Sequence, residues 1–179
     1  MNLNNKIAIV TGGAMGNGYG IAEVFLKLGA TVVILDYSDK LGESLNKLSN
    51  ISKNIIGYKV DITNKDLVKK IIDDIYNRFK KIDILINNAG VCKLAKFEDM
   101  TDEIRDFHLN INIKGTWNVT KAVYNYMKKD NYGKIVNLSS VTGPKVADSG
   151  EVAYATSKAA LIGFTKSLAM EGVNYNITV

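Results

Sequence analysis

Short apolar runs rich in Ile and Val alternate along the chain with longer segments whose apolar positions recur every three or four residues. The short runs lie at 6–11, 31–35, 55–60, 82–87 and 134–139. Each is apolar on both alternating faces, the pattern of a parallel strand covered by helices on both sides. The longer segments lie at 18–28, 40–48, 65–79, 102–109, 112–129 and 153–171 and are predicted to be helices. In 65–79 the apolar positions Leu67, Val68, Ile71, Ile72, Ile75 and Phe79 form one face, and Lys69, Lys70, Asp73 and Asp74 form the other. Strand starts recur about every 25 residues over the first four strands, the length of one strand–helix unit. This order predicts an α/β fold with a parallel sheet, helices on both faces and right-handed crossovers. No repeat, low-complexity segment or linker interrupts it, so residues 1–179 read as one domain.

Composition narrows the class. The chain has 179 residues, 46% hydrophobic and 23% charged, with one Pro and one Cys. Collagen, a disordered tail and a disulfide scaffold are excluded. A chain of this length buries roughly 70% of its unfolded surface. No apolar run approaches the ~20 residues of a membrane span, so no membrane partner is expected. The first residues carry no signal-peptide pattern, and the single Cys92 cannot form an internal disulfide, which fits a reducing cytoplasm. The formal charge is +5, but the basic residues are scattered, with runs no longer than pairs such as Lys69-Lys70 and Lys128-Lys129. Solvated helix faces explain them, and no nucleic-acid partner is expected. The only histidine, His108, has no Cys or His neighbour in sequence, so no metal site is expected. Cys92 reads as a small packed residue near a cleft, and Trp117, with Val119 and Val123, as helix packing.

Three motifs carry chemistry. The first strand runs into Thr-Gly-Gly-Ala-Met-Gly-Asn-Gly, which places Gly12, Gly16 and Gly18 between a strand and a helix. Such glycines allow a tight turn and close backbone approach to a pyrophosphate, with the helix N-terminus facing the anion. A tight turn with no ligand would use the same residues. No literal G-x-G-x-x-G and no Walker A lysine occurs. Asp36 ends the second strand, 18 residues after Gly18. A carboxylate there accepts both adenosine ribose hydroxyls and repels a 2′-phosphate, favouring NAD over NADP; otherwise it is a turn residue. Tyr154 and Lys158 are four apart on a predicted helix and share a face. An ammonium ~4 Å from a phenolate is worth about 4 kcal/mol at an effective dielectric of ~20. That corresponds to roughly 3 pKa units, enough to make a tyrosine a general acid/base near neutrality.

Together these residues resemble the short-chain dehydrogenase/reductase family over essentially the whole chain, in family order. Thr11-Gly12-x-x-x-Gly16-x-Gly18 matches the cofactor loop, and Asp36 the ribose carboxylate of NAD-preferring members. Asp61-Ile62 resembles the adenine contact after the third strand. Asn87-Asn88-Ala89-Gly90 matches the fourth-strand signature, with Asn88, Ala89 and Gly90 lining the cofactor. Asn112, Ser140, Tyr154 and Lys158 match the active-site Asn, Ser, Tyr and Lys. The segments Asn-Ala-Gly-Val-Cys, Ile-Asn-Ile-Lys-Gly-x-Trp-Asn-Val-Thr-Lys and Val-Ala-Asp-x-Gly-Glu resemble, within that family, the UcpA-type oxidoreductases. The resemblance implies a Rossmann-type doubly wound sheet of order 3-2-1-4-5, with the start of a sixth strand. It implies hydride transfer between NAD(H) and an alcohol or ketone. Tyr154 would act as acid/base and bind cofactor with Lys158, Ser140 would hold the substrate oxygen, and Asn112 would order a water next to Lys158. Helices 112–129 and 153–171 resemble the helices through which family members form homodimers or homotetramers.

Two departures stand out. Asn17 replaces the aliphatic residue usual between the last two glycines. As a helix cap that tolerates left-handed backbone it preserves the turn, and as a polar side chain it weakens the cofactor pocket. Second, residues 175–179 read as the start of the sixth strand, whereas family members continue through a substrate loop and a last strand. Three readings follow from the sequence: an NAD-dependent oxidoreductase, a dinucleotide-binding module without turnover, and a chain with an assembly role.

Overall fold

The computed structural model describes residues 2–179. Six strands form one sheet in the order β3-β2-β1-β4-β5-β6, with every pairing parallel. They are β1 (Ile7–Thr11), β2 (Thr31–Asp36), β3 (Ile55–Lys59), β4 (Ile84–Asn87), β5 (Gly133–Asn137) and β6 (Ile177–Thr178). Six α-helices connect them: α1 (Gly16–Lys27), α2 (Leu41–Leu48), α3 (Lys65–Phe79), α4 (Asp102–His108), α5 (Thr116–Lys129) and α6 (Val152–Gly172). The predicted class and strand order are those observed.

The doubly apolar strands explain the layering. On β1, Ile7 and Ile9 face one layer and Ala8 and Val10 the other, and all four are buried. The first layer is closed by α3 and α5 through Val68, Ile72, Ile75, Val119, Val123 and Met127. The second is closed by α1 and α2 through Ala22, Leu26, Leu41 and Leu48. That second layer covers β3, β2, β1 and β4. Among the described residues it does not reach β5, where Val136, in register with Ile86, is 48% exposed.

Local chemistry sets the helix ends. The Asn64 side chain caps α3 by accepting from the Leu67 N–H at 3.0 Å. Lys80 closes the same helix with a left-handed backbone, its N–H donating to the Tyr76 carbonyl. Asp83 ties the sheet edge-on: it accepts from the Ile7 N–H and from the Lys6 ammonium.

Two expectations are corrected here. The predicted break between helices ending at 109 and starting at 112 is absent. α4 passes into α5 through a π-helical stretch, Leu109–Gly115, so the backbone bonding slips by one residue instead of stopping. The helix after the glycine loop starts at Gly16, with Met15 as its N-cap. Asn17 therefore lies in the first turn, neither a cap nor left-handed. Trp117 makes a helix-to-helix contact, as expected, though outside the core that holds Val119 and Val123. It is 53% exposed and leans on Phe164 of α6, with ring centroids 5.1 Å apart. Its place in the first turn of α5 points away from the sheet that buries the two valines.

Candidate active site

The C-terminal ends of the parallel strands open on a cleft of about 770 Å³. Such strand ends, on either side of the point where strand order reverses, are where open α/β sheets bind ligands. β1 and β4 flank that point here. Gly12, Asn17, Asp36, Asp61, Ile62, Asn88, Ala89 and Gly90 all line the cleft. Gly16 and Gly18 shape the loop beneath it.

Two glycines are required by geometry. Gly12 has φ +66°, and a Cβ there would come within 2.9 Å of the Ala89 Cα. At Gly18 a Cβ would lie 2.2 Å from the Gly12 carbonyl oxygen and 2.5 Å from Asn88 Nδ2. The loop is thus drawn tight against the end of β4, and Asn88 holds it there. Its Nδ2 donates to the carbonyls of Thr11 and Gly12 at 3.0 and 2.9 Å. Thr11 Oγ1 accepts in return from the Asn88 and Ala89 N–H groups. Thr11 opens the cofactor-loop motif, but the sequence assigned no role to its side chain. Its signal was a hydroxyl at the buried end of an apolar strand, which must find partners.

Asp36 accepts from the Ala14 N–H and the Ser38 N–H, each at 2.8 Å and on different oxygens. A carboxylate has about four acceptor positions, so two remain for a ligand's hydroxyls. Asp61 is exposed and caps its own turn through the Thr63 N–H, and Ile62 is buried against Gly115.

Asn112 and Lys158 meet at the Gly90 end, with Tyr154 beside Lys158. Tyr154 and Lys158 stand one turn apart at the start of α6. Lys158 is 5% exposed, and burial pushes its ammonium below the usual lysine value. Its Nζ donates to the Leu138 carbonyl at 2.7 Å and lies 5.9 Å from the centre of the Tyr154 ring. A Cβ on Gly90 would lie 3.3 Å from both Lys158 Nζ and Asn112 Oδ1, so these groups border the cleft. Ser140, Tyr154 and Lys158 are not among the residues that line it. The paired serines separate by role. Ser139 Oγ donates to the Lys158 carbonyl at 2.8 Å, fixing α6. Ser140 Oγ accepts from the Thr142 N–H at 3.1 Å and donates to nothing among the described residues.

Asn112 sits in the π-helical stretch and is fully buried. Its Oδ1 accepts from the Val91 N–H, and its Nδ2 donates to the Val91 carbonyl and to Ser157 Oγ. It therefore clamps the segment after β4 to α6. A second buried relay was not foreseen: Asn87 Nδ2 donates to Thr120 Oγ1 and Asn137 Oδ1, and Asn137 Nδ2 donates to Thr165 Oγ1. It joins β4, α5, β5 and α6 behind the site.

Cys92 is exposed, not packed, because it lies on the irregular segment after β4. Partial desolvation and the Glu151 carboxylate push its thiol up, which keeps it a poor nucleophile. Among the described residues no group of three His, Cys, Asp or Glu could hold a metal ion, and no helix is long and apolar enough to cross a membrane.

Residues 6–179 match the family described as short chain dehydrogenase. The chain is 48% identical over 177 residues to oxidoreductase UcpA of Salmonella typhimurium, covering 99% of this chain and 67% of that protein. It is 38% identical over 178 residues to an NAD-dependent glycerol dehydrogenase of Listeria innocua, covering 99% of this chain and 69% of the other. The crystal structure of an NAD+-bound xylitol dehydrogenase superposes with a TM-score of 0.92 at 33% identity, over 100% of this chain and 69% of the other. The chain spans about two thirds of the length of these relatives. With the family matched over nearly all its residues and the fold superposing throughout, this chain belongs to the short-chain dehydrogenase family.

Proposed function

We propose that the chain carries the NAD(H)-binding and catalytic residues of an oxidoreductase acting on an alcohol or ketone. One observation carries this reading. The cleft runs from Asp36 to Gly90, and Gly90 abuts Lys158 Nζ and Asn112 Oδ1. The residues present fit a dinucleotide. Gly12 and Gly18 leave a cradle that a Cβ would fill, and Asp36 keeps acceptor positions for ribose hydroxyls. Asp36 also disfavours a 2′-phosphate, so NAD is preferred to NADP. Two relatives are NAD-linked by name, the glycerol dehydrogenase and the xylitol dehydrogenase.

NAD, when bound, supplies the hydride acceptor. The chain supplies position and proton handling. Ser140 Oγ, with its proton uncommitted, donates to the substrate oxygen. Tyr154 takes the alcohol proton during oxidation and returns it during reduction. The Lys158 ammonium, one turn along α6, stabilises the phenolate. Asn112 holds Val91 at the cleft wall and, with an acceptor lone pair left on Oδ1, orders a water toward Lys158. The exposed apolar side chains of α5 and α6 serve homo-oligomer contacts.

A second reading, dinucleotide binding without turnover, is favoured by one fact: Ser140 and Tyr154 stand outside the cleft that the cofactor residues line. One experiment separates the two. NAD reduction is followed with a panel of alcohols, and NADH binding by fluorescence, in the wild type and Tyr154→Phe. The enzyme reading expects Tyr154→Phe to lose about 10²–10⁴-fold in kcat, far more than it loses in NADH affinity. Tight NADH binding with no Tyr154-dependent turnover establishes the binding module instead.

A further inference from the structure

His108 is the only histidine of the chain and is fully buried, at 0% exposure. The catalytic scheme above makes no use of it. Its two ring nitrogens have only one possible assignment. Nδ1 lies 2.7 Å from the Ile104 carbonyl oxygen, which can only accept, so Nδ1 carries the proton. Nε2 lies 2.9 Å from the Lys93 backbone nitrogen, whose N–H can only donate, so Nε2 presents its lone pair. The ring is therefore a neutral imidazole with the proton on Nδ1.

Its surroundings link it to the reacting groups. The ring meets that of Tyr154 edge-on, with centroids 6.4 Å apart at 69°. One turn further along the same continuous helix, Asn112 bonds both backbone groups of Val91 and the hydroxyl of Ser157. His108 and Asn112 thus act as two rungs. Each bonds the backbone of the segment after β4, at Lys93 and Val91. Each also touches α6, at Tyr154 and Ser157. Val91 is part of the cleft wall, and Tyr154 is the proposed acid/base.

We propose that His108 is a positioning residue: as the neutral Nδ1–H imidazole it fixes the Val91–Lys93 backbone and the Tyr154 ring relative to one another. The proposal rests on the dehydrogenase reading for its catalytic consequence, though not for the clamp itself. An apolar side chain of similar size fills the space but leaves the Lys93 N–H without an acceptor. Glutamine retains an acceptor and a donor at the end of a side chain of comparable reach, so it restores both bonds. Displacing a reacting group by about 1 Å costs up to about a hundredfold in rate.

The test uses the full chain as wild type, His108→Gln and His108→Leu. Nitrogen-15 shifts of the single imidazole are read in the wild type, and hydrogen exchange is read at the Lys93 amide. NADH affinity is titrated, and kcat and KM are measured with glycerol, xylitol and 2-butanol as probes. The expected wild-type signal is the Nδ1–H tautomer at pH 7. His108→Leu is expected to speed Lys93 exchange at least about tenfold and lower kcat about ten- to a hundredfold, leaving NADH affinity within about twofold. His108→Gln is expected to recover most of both losses. An Nε2–H tautomer or an imidazolium in the wild type overturns the proposal without any variant having to fold. Equal damage from Gln and Leu overturns it too, because bulk alone would then explain the site, as does unchanged kcat in His108→Leu. If the wild type turns over none of the alcohols, the dehydrogenase reading of the chain fails. The tautomer and the Lys93 exchange then still decide whether His108 is the clamp.

Discussion

At Asp36 a structural role and the proposed recognition role fall on one side chain. Its two oxygens receive the Ala14 and Ser38 N–H groups, so it shapes the glycine loop before any ligand arrives. Charge-assisted hydrogen bonds are each worth about 1.5–3 kcal/mol. Asp36→Ala is therefore expected to weaken NADH binding by roughly 10–100-fold and to narrow the preference over NADPH. Fluorescence titration with both nucleotides measures this, and an unchanged preference would remove Asp36 from the site. Lys158 carries a pH signature. Burial lowers its folded-state value below the 10.5 it has when exposed. Between those two values the unfolded chain binds more protons than the folded one, so stability rises with pH across that window. Below it the buried charge weighs on the fold in full. Thermal unfolding should thus show the wild type gaining on Lys158→Met as pH climbs toward 10.5; a constant gap would mean that burial does not strain the ammonium. The roles of Thr11 and His108 were not legible beforehand. Both depend on where a distant strand or loop presents its backbone N–H, which local sequence does not encode.

At the level of elements, the glycine loop depends on the end of β4 more than on its own residues. Gly18 has no room for a side chain because the Gly12 carbonyl and Asn88 Nδ2 already occupy it. Backbone at 2.2 Å cannot yield cheaply. Gly18→Ala should cost about 3 kcal/mol, the upper end for overpacking. For a chain of this size that is a drop of roughly 6–12 °C in Tm, readable by circular dichroism, with loss of NADH binding. A Tm within a degree of wild type would show the loop to be loosely held. Strand and helix identities were legible from Ile and Val runs and from apolar rhythm because burial on two faces or one writes directly into sequence. The π-helical stretch was not. A one-residue slip in bonding over Leu109–Gly115 leaves too short a trace to alter the apolar period, yet it carries Asn112. Asn17 was misread as a cap because the helix begins two residues earlier, with Met15 as its N-cap.

Across the whole molecule, the two sheet faces differ. One is closed by α3 and α5, while on the other α1 and α2 leave Val136 of β5 half exposed. Trp117 on α5, Ile162 and Met170 on α6, and Val173 just beyond the end of α6 are exposed. Trp117 leans on Phe164, a contact between the two helices. Light scattering is expected to find a homodimer or homotetramer that Trp117→Glu converts toward monomer; a strict wild-type monomer would refute this assembly. By itself the sequence determined the α/β class, through local apolar patterning, and the set of residues at the strand ends, through motif order along the chain; the strand order came only from the family resemblance. Only the tertiary structure decided which of those residues meet. It placed Asn88 on the Gly12 carbonyl, turned Ser139 to α6 while leaving Ser140 free to donate, and set His108 between Lys93 and Tyr154. These are pairings between elements far apart in the chain. They are fixed by how helices seat on the sheet and by the need of each buried polar group for a partner, neither of which any local stretch of residues specifies.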